Sequence, residues 1–140
     1  LVIGILCVGP LNSFNTMHLP FIIISILLEK FINFFTHISL SLTSFWLEEN
    51  SAFFWIYSKL VFTLGGMLIP LELFPEWLRN IAVNLPFAYV TYAPAKLAVN
   101  FSFDRFLYTI AFQLVYLGIF FMISMVIFRK GARALNVNGG

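Results

Sequence analysis

Phe106-Leu-Tyr-Thr-Ile-Ala-Phe-Gln-Leu-Val-Tyr-Leu-Gly-Ile-Phe-Phe-Met-Ile-Ser-Met-Val-Ile-Phe128 contains no charged side chain, and Arg129-Lys-Gly-Ala-Arg133 follows it at once. About 20 apolar residues are enough for a helix to cross a bilayer, so this stretch of about 23 reads as a spanning helix with a basic flank. The rest of the chain agrees with it. Of 140 residues, 61% are hydrophobic and 10% charged, against about 25% charged in a soluble domain. Mean hydropathy is +0.95. Eighteen Phe exceed what a domain of this size can hide, since about a third of its chain surface stays wet. The same composition excludes a disordered chain, a collagen-like fibre and a disulfide scaffold, as only Cys7 is present. A net charge of +2 is too small and too scattered for a nucleic-acid surface. The expected fold class is an all-α, polytopic membrane protein whose surroundings are the lipid bilayer; a β-barrel would need an alternation that is missing.

Upstream of that helix, Glu72 to Asp104 is different in kind. Pro75, Pro86 and Pro94 recur about every ten residues, too closely for a spanning helix between them. Pro75 suits a helix start, with Glu76 in the first turn. Trp77, Leu78, Ile81, Ala82 and Leu85 then recur at helical spacing, and Pro86 should end that helix. A second piece is expected to start near Pro94. Residues 74–100 thus read as a re-entrant or interfacial hairpin of two short helices. Further back lie two apolar runs, 52–71 and 19–46, joined by the acidic Leu47-Glu-Glu-Asn-Ser51. The longer has about 28 residues, roughly 42 Å as a helix at about 1.5 Å per residue, so it must tilt or protrude. Phe45, Trp46, Phe53, Phe54, Trp55 and Tyr57 around the acidic loop form an aromatic belt. Leu1 to Val8, closed by Gly9-Pro10, reads as the tail of a fourth span, and the chain as the C-terminal part of a longer membrane protein. Three full spans, that tail, the hairpin and a basic tail over 129–140 make one membrane domain.

Chemistry-bearing patterns are sparse. No phosphate-binding loop, His-Glu-x-x-His or Cys/His ligand spacing is found, so no catalytic, cofactor-binding or metal residue is assigned. Glu29, Asn33, Thr36/His37, Ser41 and Ser44 follow at three- to five-residue steps on one helix. A carboxylate in hydrocarbon is expensive, which makes this stripe a candidate substrate path or subunit seam. The competing reading pairs Glu29 with Lys30 and lets the hydroxyls bond back to helix carbonyls. Lys59 is expected to snorkel, and Gly65-Gly66 marks a bend or a close approach.

The most specific feature is Gly66-Met-Leu-Ile-Pro70-Leu-Glu-Leu-Phe-Pro75-Glu-Trp-Leu-Arg79, followed by Asn84-Leu-Pro86-Phe87 and Tyr92-Ala-Pro94. With Phe45-Trp46 upstream and Gln113, Arg129-Lys-Gly-Ala-Arg133 and Gly139-Gly140 downstream, it resembles the permease subunits of bacterial type-2 ATP-binding-cassette (ABC) transporters. Ala93, Asn100 and Tyr116 stand where that family more often has an aromatic, a Gly and a Trp. The resemblance implies an exporter's membrane subunit in a bacterial plasma membrane, with no ATPase site of its own. It implies a cytoplasmic ABC ATPase partner that binds the ATP and a second permease subunit. It also makes Gly66, Pro70, Pro75, Trp77, Pro86, Phe87 and Pro94 the candidate outer gate. A non-transporting anchor and an ion-coupled carrier using Glu29 and His37 are the alternatives. Charge sets the expected orientation: Arg129, Lys130 and Arg133 lie within five residues of a span end, where cytoplasmic retention acts most strongly. The C-terminus and the Glu48–Asn50 loop should face the cytoplasm, and Arg79 and Asn84 the outside.

Overall fold

A computed structural model describes residues 16–138, which are helical and without strands. The expected span over 1–8, Cys7 and the terminal Gly139-Gly140 lie outside the described residues. Six α-helices follow a Thr16–His18 3-10 turn: α1 (Leu19–Leu42), α2 (Ser51–Leu64), α3 (Glu76–Ala82), α4 (Pro86–Val90), α5 (Tyr92–Val99) and α6 (Phe103–Asn138). Two stretches are long and apolar enough to cross a membrane, Leu19–Phe45 and Phe103–Arg133.

These two pack against each other more extensively than any other pair of elements. On α1 the buried residues are Ile22, Ser25, Glu29, Ile32, Thr36 and Ser39, alternate steps of three and four that keep one stripe turned to a neighbouring helix. Phe21 meets Phe106 at 5.1 Å, Ser25 meets Gln113, Phe35 meets Phe121 at 5.2 Å, and Phe45 lies over Gly131. Partner numbers rise together, so α1 and α6 run parallel. The seam is rich in small residues (Ser25, Ser39, Ser124 and Gly131 are all buried), as close approach of spanning helices requires. A Cβ at Gly131 would come within 2.1 Å of the Phe45 ring.

Parallel packing obliges residues 46–102 to carry the chain back to the end where it began. Asn50 starts the reversal: its amide donates to the carbonyls of Leu40 and Ser41 at the end of α1. The span expected over 52–71 is not one helix. α2 has 14 residues, about 21 Å against a hydrocarbon core of about 30 Å, and it stops at Gly65-Gly66. Gly66 has φ 76°, a left-handed turn that costs glycine little. Gly65 is fixed by close approach, since an added Cβ would lie 2.3 Å from Thr91 Oγ1 and 3.0 Å from the Phe87 carbonyl. The glycine pair is therefore both a bend and a contact.

The proline segment completes the return. It holds three short helices where two were expected. α3 ends at Ala82 rather than Leu85, because Pro86 sits in the first turn of a new helix, α4. Pro94 lies inside α5, yet within its first turn, where the missing N–H has no intrahelical role. Leu71, Ala82, Ala88 and Tyr89 form its buried core, with Phe112 and Tyr116 of α6 packed on it. The Tyr89 and Phe112 rings stack at 5.0 Å. α6 continues to Asn138, so Arg129, Lys130 and Arg133 ride on its last turns.

Candidate functional site

Three constellations connect the long helices to the proline segment. The deepest is centred on Gln113, which is fully buried. Its Nε2 donates to the backbone carbonyls of Ser25 and Tyr89, both at 3.1 Å, and its Oε1 accepts from Ser25 Oγ at 3.1 Å. One amide thus ties α1, α4 and α6 together. Both ends of the amide are satisfied, which is what permits a polar group in this environment. Sequence reasoning reached Gln113 only through the family resemblance. The signal it held was a lone amide in an otherwise apolar spanning run, and Ser25 was missed.

The second constellation contains part of the expected stripe. Asn33 Nδ2 donates to Glu29 Oε1 at 2.7 Å, and Tyr57 Oη of α2 donates to Asn33 Oδ1 at 2.6 Å. His37 lies against Phe54 and Tyr57, each 5.5 Å between ring centroids. Glu29, Asn33 and His37 are therefore brought to the α1–α2 contact. Ser41 and Ser44 are not: both are exposed, and Ser44 bonds back to the Ser41 carbonyl. Thr36 similarly bonds to the Ile32 carbonyl. Lys30 Nζ pairs with Glu29 Oε2 at 3.0 Å, its own side chain 69% exposed against 8% for Glu29. The local pairing and back-bonding considered for these side chains are thus present, and they coexist with a polar bridge to α2.

The third holds the candidate gate residues. Gly66 makes the turn, Pro70 and Pro75 flank the Leu71–Leu73 3-10 turn, and Trp77 is exposed on α3. Pro86 and Phe87 are half-buried, with the Phe87 ring 6.2 Å from Tyr57, and Pro94 is buried. Thr91 Oγ1 joins this segment to α2 by donating to the Gly65 carbonyl at 2.5 Å. At the far side, Lys96 Nζ and Tyr92 Oη each reach Glu72 Oε1 at 2.5 Å. Those bonds, from Lys96 first and Tyr92 second, hold the Glu72 carboxyl down at about 2, well below its usual 4.5. Lys96 is raised in return, chiefly by Glu72. The bonds from Thr91 to Gly65 and from Tyr92 to Glu72 carried no local signal in the sequence, because each spans 20 or more residues. Ala93, Asn100 and Tyr116 depart from the family's commoner residues, and Tyr116 has found a partner in the Asn84 carbonyl.

Among the described residues, no three His, Cys, Asp or Glu side chains gather closely enough to hold a metal ion. What the arrangement offers is mechanical: a broken, polar-pinned segment set between two long apolar helices. Comparison with curated proteins and with solved structures finds no match. A family model described as ABC-2 family transporter protein matches residues 2–139. The chain therefore belongs to the ABC-2 transporter family, the membrane permeases of ABC transporters.

Proposed function

We propose that the chain is the membrane subunit of an ATP-driven exporter, in which a separate cytoplasmic ATPase binds and hydrolyses ATP and a second permease subunit completes the path. The observation that carries this reading is the family match over 2–139. The segment from Gly66 to Val99 acts as the outer gate in a bacterial plasma membrane, with the Glu48–Asn50 loop and the C-terminus in the cytoplasm. Irregular backbone at membrane depth is tolerated only where protein or water covers it, and a gate supplies both in turn.

Lys30 supports a path or seam on α1. It stands 11 residues from one end of α1 and 12 from the other, about 17 Å from each. A lysine stem of about 6 Å cannot snorkel that far, and a cation on lipid at that depth costs about 2.5–3.5 kcal/mol or more. Its exposed face should therefore meet protein or water, with Glu29, Asn33 and His37 behind it.

The test starts from a Cys7→Ser background carrying Trp77→Cys, assembled with its ATPase in proteoliposomes. Trapping the ATPase with ATP and vanadate should change the rate at which an impermeant thiol reagent labels position 77 several-fold. The permease without its ATPase should show no change and no ATP hydrolysis. Labelling unaffected by the trapped ATPase would overturn the gate, and ATP turnover by the pure permease would overturn the assignment.

A further inference from the structure

Where the proline helices meet the first turns of α6, a cleft of about 260 Å3 opens. Val83, Ala88 and Ala93 make its apolar side, and Tyr92, Lys96, Arg105 and Tyr108 its polar one. The two cations are not equivalent. Lys96 is neutralised by Glu72 at 2.5 Å. Arg105 has no carboxylate within ion-pair distance among the described residues. It spends one N–H on the Asn100 carbonyl at 2.5 Å, and of five guanidinium donors the others remain for a ligand. The cleft therefore carries one uncompensated positive charge, with the Tyr108 side chain beside it.

Its position narrows the ligand. Arg105 immediately precedes the apolar run of α6, at the depth where a span meets head groups. Leu107 and Tyr108 are exposed next to it, as an acyl chain alongside α6 would require. The volume lies below the roughly 300–1,000 Å3 of sites for drug-sized ligands, enough for a head group but not a whole amphiphile. We propose that this cleft binds a net-anionic phosphodiester head group, with Arg105 on its oxygens, Lys96 cancelling the Glu72 charge beside it, and the alanine side excluding water. The planar Arg fork matches phosphate oxygens in pairs. The site is independent of the export reading, and its test needs no ATPase.

The full chain, purified in neutral detergent, would be titrated by native mass spectrometry with dioleoyl phosphatidylglycerol, dioleoyl phosphatidylcholine and inorganic phosphate. Phosphatidylglycerol should be retained at about tenfold lower concentration than phosphatidylcholine, whose choline cancels the charge the cleft reads. Arg105→Gln should abolish that preference, and so should Lys96→Met, which leaves Glu72 uncompensated beside the cleft. Arg105→Lys, which keeps the charge but loses the paired fork, should retain only part of it, and Arg129→Gln, beyond the far end of the apolar run of α6, should leave it intact. Displacement by millimolar inorganic phosphate would support the site with soluble phosphate as the source of the ligand; resistance to it would support the lipid. Equal retention of both lipids, or an Arg129→Gln loss matching that of Arg105→Gln, would overturn the proposal.

Discussion

Gln113 shows what one side chain can decide in an apolar protein. Leucine at 113 would keep the volume but remove the side-chain bonds to the Tyr89 carbonyl and the Ser25 hydroxyl, while the Ser25 carbonyl keeps its place in the α1 ladder. Each buried group that loses its partner costs about 1–3 kcal/mol in water-soluble proteins; side-chain bonds between spanning helices average nearer 0.6 kcal/mol. Gln113→Leu should therefore lower stability by about 1–3 kcal/mol, read as a fall in the melting temperature of the purified protein. With Ser25→Ala added, the combined loss should be smaller than the sum, because the two changes remove a shared bond; strict additivity would mean that the bond contributes nothing. Gly65 is held by sterics instead. Gly65→Ala puts a carbon 2.3 Å from Thr91 Oγ1 and 3.0 Å from the Phe87 carbonyl, and backbone cannot swing aside as a side chain can. Loss of folded protein on expression, with Gly66→Ala milder despite its φ, is the expected outcome.

Among the elements, the tie between the Leu71–Leu73 turn and α5 has a defined pH range. Glu72 is depressed to about 2, so its contribution is complete above the ordinary 4.5 and is lost only as pH falls toward 2. Lys96 is raised above 10.5, so its share persists below that value and fades only at higher pH. From about pH 5 to 10 the tie should not titrate. Protection of the 66–75 amides from hydrogen exchange, taken relative to the intrinsic rate at each pH, should accordingly fall in Glu72→Gln, and not when the wild type is taken from pH 7 to pH 5. A pH-dependent wild type would mean that the tie is absent in solution. On α1, Glu29→Leu removes both the counter-ion of Lys30 and the acceptor of Asn33. Transport should fall while membrane insertion stays normal; unchanged transport would leave those contacts a purely local role. The helices α1 and α6 were legible in the sequence because unbroken apolar runs leave few alternatives. α2 is shorter than its apolar run because the chain bends at Gly65-Gly66, a pair whose sequence left bend and close approach open and whose apolar neighbours Leu68-Ile69 suit a helix equally well. Pro94 was read as a helix start when it occupies a first turn, a difference of two residues that proline alone does not encode.

For the whole molecule, the parallel pair α1 and α6 places the Glu48–Asn50 loop and Arg129 at one end, as Phe45 over Gly131 attests, and Asn84 on the N-terminal side of Arg129 along α6, against Tyr116. Which end is cytoplasmic rests on the basic residues, and a Cys7→Ser background tests it. A cysteine placed at Asn84 should react with an impermeant thiol reagent on intact cells, and one at Glu49 only after the membrane is opened; the reverse pattern would invert the topology. The direction of each span could be counted from the sequence, but that α1 and α6 are neighbours could not, because stripes of small residues do not name their partners. That neighbourhood has a consequence for biosynthesis. Ser25 and Gln113 are 88 positions apart, so at roughly 5–20 residues per second α1 must wait about 4–18 s after its own synthesis before its partner exists. Through that interval Thr36 and Ser39 are already satisfied by their own helix, whereas the Ser25 face stays open. The nascent chain is most exposed to mispairing during these seconds, which end only when α6 arrives to cover the Ser25 face.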